Sequence, residues 1–296
     1  MRKLTLKDQA LFNKYLPLSN PELAVFSFAN IYIWRSLYEI RWEIIENCLC
    51  LFFKDKIGSF LYLPPIGKER RPQVLKEVFS IMDKSNSNPD ISRIENIQEE
   101  DVGYFRALGY LCHEKYPDYL CLREELAGLK GNKFKSQRCS YNYFIKHYSY
   151  SWRSLRQSDT PGLLSLFNRW IDQRKVFYND DVYCGMLEDN RRMIKDISGD
   201  YKKLKFEGIV VLVDKKIKGF TFGYKLNRQT FCILYEVTDL SVKGLAQFIF
   251  RQFSQSLSGY KYINIMDDSG LDNLRKTKLS YKPVRQIAAY IATRDA

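Results

Sequence analysis

The sequence has little of what would tie it to metals, disulfides or secretion. Only two histidines occur in 296 residues, His113 and His147, and neither stands near a second ligand in sequence. Seven cysteines, at 48, 50, 112, 121, 139, 184 and 232, form an odd set with no CxxC pair. A zinc site, a disulfide framework and a serine or cysteine triad therefore lack sequence support, and buried or idle thiols are expected. Long apolar runs are also missing. The longest, such as 48–53 and 208–213, fall well short of the roughly 20 residues needed to cross a bilayer. The opening MRKLTLKDQ puts Asp8 and further lysine where a leader would need its apolar segment. A cytoplasmic chain without a transmembrane segment is the expectation, with peripheral membrane contact left open. Acid is scarce relative to base: 34 Asp and Glu face 47 Lys and Arg, a net charge of +13. Such a chain attracts polyanions, which bears on encounter and not on chemistry.

What is present reads as a folded protein. Hydrophobic residues make up 45% and charged residues 27% of a chain long enough for one large domain or two ordinary ones. After the amphipathic LTLKDQALFNKYL, Ser19 or Asn20 is placed to cap a helix with Pro21 in its first turn. RWEIIENCLCLFFKDKIGSFLYLPP reads as strands, with KDKIG as the clearest turn. KERRPQVLKEVFSIMDK is helical, with Val74, Leu75, Val78, Phe79 and Met82 at helical spacing. SNSNPD is a loop; a strand (ISRIENI), a helix (EEDVGYFRAL) and a strand (YPDYLCL) follow. The second half supplies two helices, PGLLSLFNRWIDQRK and DDVYCGMLEDNRRMIKDI, then a hairpin turning at DKKIKG and the strand TFCILYEV. VKGLAQFIFRQFSQSL is a helix, YKYINIM a strand, the segment before Pro283 a helix, and RQIAAYIA a last strand.

Both halves run helices, antiparallel hairpin, helix, strand, helix, strand, a repeat of architecture with little identity. This implies an α/β fold whose mixed α+β sheet carries helices on both faces. The order is similar to the acetyltransferase-like (GNAT) fold, present twice in tandem. The boundary is placed at GLKGNK, giving domains 1–129 and 130–296, the second with the candidate active site.

NIMDDSGLDNLRKTKLSYKP, residues 264–283, has three readings. An EF-hand needs glycine at the sixth position and glutamate at the twelfth. From Asp267, Gly270 is fourth and Lys278 twelfth, so calcium fails. A phosphate cradle would suffer from the two carboxylates. The third reading has Asp267, Asp268 and Ser269 capping a helix that ends at Pro283. It leaves Arg275, Lys276, Lys278 and Tyr281 over as a solvated basic face or as a site.

The pattern N-x-x-x-D-x-G-x-x-x-L-R-x-x-K-x-S-Y-x-P is filled by Asn264, Asp268, Gly270, Leu274, Arg275, Lys278, Ser280, Tyr281 and Pro283. It resembles the signature of the family related to the soluble domain of bacterial phosphatidylglycerol lysyltransferases. FANIYIWRSLY (28–38) and DYLCLREELAGLKGNKFKSQRCSYNYF (118–144) are similar to that family's amino-terminal helix and central segment, so the likeness spans nearly the whole chain. It implies two GNAT-like domains in tandem, as in the Fem-type transferases. It also implies transfer of an aminoacyl group from charged tRNA to a lipid or peptide acceptor; for this chain a small-molecule or peptide acceptor is expected. Two places depart from the pattern. Ile265 stands where the family often has arginine, and Val237 follows Glu236 where it often has lysine. The lipid-modifying members also carry transmembrane helices ahead of this domain, which puts a phospholipid acceptor in doubt here.

On that resemblance Lys278 takes the cationic, oxyanion-facing role, against the alternative of a surface lysine. Glu236, in an otherwise apolar strand, could hold the α-amine or act as a base, or face solvent. Asp268 could hold the amino group or cap the helix, and Asn264, Arg275 and Tyr281 complete the substrate-binding set. SVKGLA offers Gly244 and Ala246 to a coenzyme A pyrophosphate, but Ser241 stands where Gln or Arg is expected; no cofactor is expected. Between 130 and 157 there is no acidic residue. Lys130, Lys133, Lys135, Arg138, Lys146, Arg153 and Arg156 alternate with aromatics, a candidate nucleic-acid patch or a core-packing helix with a wet basic face. Three functions stay open: aminoacyl transfer from tRNA, acyl transfer from a thioester, and RNA or nucleotide binding without chemistry.

Overall fold

A computed structural model describes residues 1–176 and 180–294. In chain order the elements are β1 (Arg2–Lys3), α1 (Gln9–Tyr15), α2 (Phe28–Ile33), β2 (Glu39–Ile45), β3 (Cys48–Lys54), β4 (Ser59–Leu61) and α3 (Pro72–Ser85). Then come β5 (Ile94–Gln98), α4 (Glu99–Ala107), β6 (Tyr110–Leu122), α5 (Arg123–Gly128), α6 (Lys135–His147), β7 (Tyr150–Ser154), α7 (Thr160–Lys175) and α8 (Asp181–Ser198). Last are β8 (Glu207–Val213), β9 (Lys216–Lys225), β10 (Thr230–Thr238), α9 (Leu245–Ser256), β11 (Tyr262–Asn264), α10 (Asp272–Ser280) and β12 (Arg285–Arg294). No described helix is long and apolar enough to cross a membrane.

The chain forms two compact units. The first holds residues 1–118, 267–272 and 286 onward; the second holds 119–266 and 273–285.

In the first unit the strands run β1-β2-β3-β4-β5-β12, with β4 and β5 parallel and the other pairs antiparallel. The β2–β3 hairpin turns on Glu46 and Asn47, both left-handed at φ 45° and 65°, the two-residue turn that matches strand twist. KDKIG is a turn as expected, held where the Asp55 carboxylate accepts the amides of Ile57 and Gly58. Val74, Leu75, Val78, Phe79 and Met82 of α3 are all buried, the face their spacing implied. The helix expected from Pro21 begins instead at Phe28. Asn20 is left-handed, and the amides of Glu22 and Ala24 donate to the side chains of Gln98 and Asp118, so tertiary partners replace the helical ladder there.

In the second unit the end of β6 is followed by β11-β10-β9-β8-β7. Among its described strands β10 and β11 pair in parallel and the others antiparallel, so the sheet is mixed, as expected. Helix α9 buries Leu245, Phe248, Ile249, Phe250 and Phe253 against one sheet face, where Phe231, Ile233 and Ile263 also lie. Helix α7 covers the other face, with Phe167 edge-on to Tyr235. Helix α6 and strand β7 occupy the basic stretch. Phe134 and Phe144 are buried there, and Tyr141 and Tyr148 pack on the same core.

Candidate active site

Strand β10 carries a bulge. Cys232 and Ile233 face Tyr224 and Gly223, yet Tyr235 faces Phe222, so Leu234 is the extra residue. One inserted residue exchanges the two faces for everything after it. Glu236, opposite Thr221, thereby joins Phe231 and Ile233 on the α9 face. Without the bulge it would point toward α7, the face that Tyr235 takes in the bulged strand. Strict alternation along TFCILYEV could not reveal this.

On that face Glu236 lies within the electrostatic reach of Lys278 from α10 and of Tyr281 just beyond it. The residue keeps partial exposure, but its Oε2 is buried without a protein hydrogen-bond partner among the described residues, and so is Oγ1 of the neighbouring Thr221. Burial pushes the Glu236 carboxyl up to about 8, with the Lys278 charge pulling the other way. Tyr281 is buried against Phe250 at 4.1 Å, and its hydroxyl is raised by burial, with Glu236 and Cys121 adding to it. Cys121 is likewise buried, its thiol pushed up to about 12 despite Lys278.

The turn after β11 anchors Lys278. Oδ1 of buried Asn264 accepts the amide of Met266 at 2.7 Å, fixing a turn in which Met266 is left-handed at φ 61°. The intervening Ile265 carbonyl accepts a hydrogen bond from Lys278 Nζ. Lys278 is only partly exposed, whereas Arg275 and Lys276 are fully on the surface. The second unit thus brings Glu236, Lys278, Tyr281 and Asn264 together and leaves Arg275 outside. Thr221, Cys121 and Gln137, whose amide donates to the Ser280 carbonyl at 2.6 Å, were missed; no local pattern marks them.

Asp268 belongs to the first unit. Its buried carboxylate accepts the amide of Gly270 at 3.0 Å, and Asp267 accepts that of Ser269 at 2.7 Å. The two acids thus shape the loop ahead of α10. Gly270 is required there, since φ is 73° and a Cβ would lie 2.5 Å from the Tyr116 hydroxyl.

In the turn carrying Gly244 and Ala246 most of the flanking amides are taken up by the protein itself. The amides of Leu240, Ser241 and Lys243 donate to Gln173, Asp239 and Tyr148, and those of Val242 and Leu245 to backbone carbonyls. A pyrophosphate cradle needs such amides turned to the anion. Gly244 is left-handed at φ 82°, and a Cβ on it would sit 2.1 Å from the Ser140 carbonyl of α6. Gly244→Ala is therefore expected to destabilise the protein by about 3 kcal/mol or more, read as a lower urea midpoint; an unchanged midpoint would contradict this packing.

The basic stretch is less uniform than its sequence. Lys133 is held by Glu125 at 2.6 Å, Arg138 caps the Leu129 and Gly131 carbonyls, and Arg153 chelates buried Asp159 through two 2.7 Å bonds. Lys130, Lys135, Lys146 and Arg156 remain exposed. Of the aromatics Trp152 is the most open, at 42% exposure, while Tyr150 leans on Phe144 and Phe248.

Mixed sheets, helices on both faces and a bulged strand aiming a carboxylate define a tandem GNAT-like protein. The chain belongs to the family of the carboxyl-terminal part of phosphatidylglycerol lysyltransferase, whose profile matches residues 20–293. A conserved protein of unknown function from Bacteroides thetaiotaomicron is 26% identical, with TM-score 0.88 over 99% of this chain and 98% of that one. L-PGS from Bacillus licheniformis is 16% identical, with TM-score 0.69 over 99% and 93%. A tandem GNAT protein from the clavulanic acid biosynthesis pathway shares the fold at 7% identity and TM-score 0.51, over 98% and 97%. No curated protein matches the chain.

Proposed function

We propose that this protein transfers an aminoacyl group from charged tRNA to a hydroxyl or amine acceptor, at Glu236 and Lys278. The observation that carries the reading is the buried, raised carboxyl of Glu236 beside the Lys278 ammonium. A base is most useful when its pKa lies near the working pH, and about 8 meets that condition. In the ionised form Glu236 takes the proton of the attacking hydroxyl or amine as the new bond to the ester carbonyl carbon forms. Lys278 faces the oxyanion that develops on that carbonyl oxygen. Collapse breaks the bond to the ribose oxygen, which leaves with the proton held by Glu236, so the carboxylate is regenerated. The family's name, with its lysyl group and its transferase activity, supports this class of reaction. A tRNA donor would place the reaction in the cytoplasm.

The exposed Lys130, Lys135, Lys146 and Arg156 are the proposed contacts for the tRNA backbone. About four phosphate contacts should lower affinity about a hundredfold between 50 and 200 mM salt. Binding of charged and deacylated bulk tRNA across that range tests the reading. Preference for the charged form with this salt dependence is expected, and salt-independent or absent binding would refute it. Acyl transfer from a thioester is less favoured, because the amides of Ser241, Val242, Lys243 and Leu245 in the 241–246 turn already have protein partners.

A further inference from the structure

We propose that a depression between α7 and the start of β9, separate from Glu236 and Lys278, binds a phosphate group. Its volume is about 250 Å³. Its polar wall is Ser165 and Arg169 of α7 with Lys216 and Lys218 of β9, over a floor that includes Leu166 and Ile217. Beneath them lies Asp239, whose side chain is 1% exposed. Its Oδ2 accepts from Lys218 Nζ at 2.7 Å and from Arg169 at 3.2 Å. Its Oδ1 accepts from Gln173, the Ser241 hydroxyl and the Ser241 amide. Burial alone would raise this carboxyl, but those hydrogen bonds outweigh it and hold it well below the usual carboxylate range.

Asp239 is thus an ionised anchor committed inward, and it fixes two cations; the Arg169 side chain, 56% exposed, keeps N–H groups at the surface, while that of Lys218 is 19% exposed. One buried carboxylate needs one cation. Here Arg169, Lys218 and Lys216 converge on one hollow, two positive charges more than Asp239 balances. In the adjoining hairpin turn Asp214 is offset by its neighbour Lys215. The volume is below the roughly 300–1,000 Å³ of sites for whole drug-sized ligands, and suits one or two phosphate groups. Prefixed cations lose little freedom on binding an anion, which favours phosphate over a neutral ligand.

The phosphate has two possible sources with the same chemistry, a small phosphorylated molecule or an RNA backbone. The site does not depend on the transfer reading. The test is calorimetric titration of the whole protein with inorganic pyrophosphate at constant ionic strength, against Lys216→Gln, Arg169→Gln and the equally charged control Lys225→Gln. Lys216→Gln and Arg169→Gln should each weaken binding about tenfold, as lost charge-assisted contacts do, and Lys225→Gln should leave it within about twofold. Among the described residues the side-chain partners of Asp239 are Arg169, Gln173, Lys218 and Ser241, not Lys216, so the Lys216 variant tests the site even if Arg169→Gln folds poorly. Displacement of pyrophosphate by a short single-stranded RNA, with the same variant sensitivity, assigns the site to an RNA phosphate. Failure of RNA to displace it assigns the site to a small phosphorylated ligand. No binding to the native protein, or equal weakening in all three variants, overturns the proposal.

Discussion

Glu236→Gln should stabilise the protein above neutral pH and at the same time remove the proposed transfer activity. The Glu236 carboxyl titrates at about 8 in the folded chain against 4.5 for the ordinary group. A carboxyl raised on folding has its full stability below the lower value and loses it as pH rises to the upper one, because only the unfolded chain can ionise freely in between. Each pH unit of that interval is worth about 1.4 kcal/mol, and a discount for solvent screening at this partly exposed residue leaves about 2 to 4 kcal/mol between pH 4 and pH 8. Glutamine keeps the shape and cannot ionise. Its melting temperature should equal the native protein's near pH 4 and exceed it by several degrees near pH 8. A gain of the same size at both values would show that burial of the charge is not the cause. Activity moves the opposite way. Loss of the base should cost about a hundredfold or more in transfer rate. A stabilising change that is catalytically ruinous is what a buried reactive group leads one to expect.

Lys278→Met is expected to have the second large effect. The methionine keeps most of the apolar stem but loses the ammonium that bonds the Ile265 carbonyl and attracts Glu236. Removing a donor aimed at a developing oxyanion typically costs about 10² to 10³ in rate. It also removes the charge that draws the Glu236 carboxyl down, so the rising limb of the pH–rate profile should move to higher pH. A merely structural lysine would lower stability without moving that limb. Lys276→Met, on the exposed side of the same helix, should leave rate and profile unchanged.

Much of the fold was legible in the sequence because its signals are local. The face of α3, the helices α7 and α8 and the strands β8 to β11 lie where period and turn residues put them. The misses have physical causes. The segment after Pro21 carries helix-start chemistry, yet Gln98 and Asp118, distant in sequence, take its amides. Strand β7 alternates poorly because it pairs only with β8 and leaves Tyr150 and Trp152 exposed. The basic stretch was free of acid only within its own limits; Glu125 and Asp159, just outside it, fold back to neutralise Lys133 and Arg153. For the site, sequence pattern named Glu236 and Lys278 separately. Their meeting depends on the bulge at Leu234, and a one-residue insertion in a strand leaves no reliable mark on composition or period.

The most direct measurement is single-turnover loss of the aminoacyl ester from bulk charged tRNA. The protein is in excess, over pH 6 to 9, with mixed alcohol and amine acceptors, comparing the native chain with Lys278→Met. The account predicts acceleration that rises toward a plateau with an apparent pKa near 8, and a drop of about a hundredfold or more on removing the ammonium. Ester loss no faster than in buffer, or acceleration that Lys278→Met leaves intact, would contradict it.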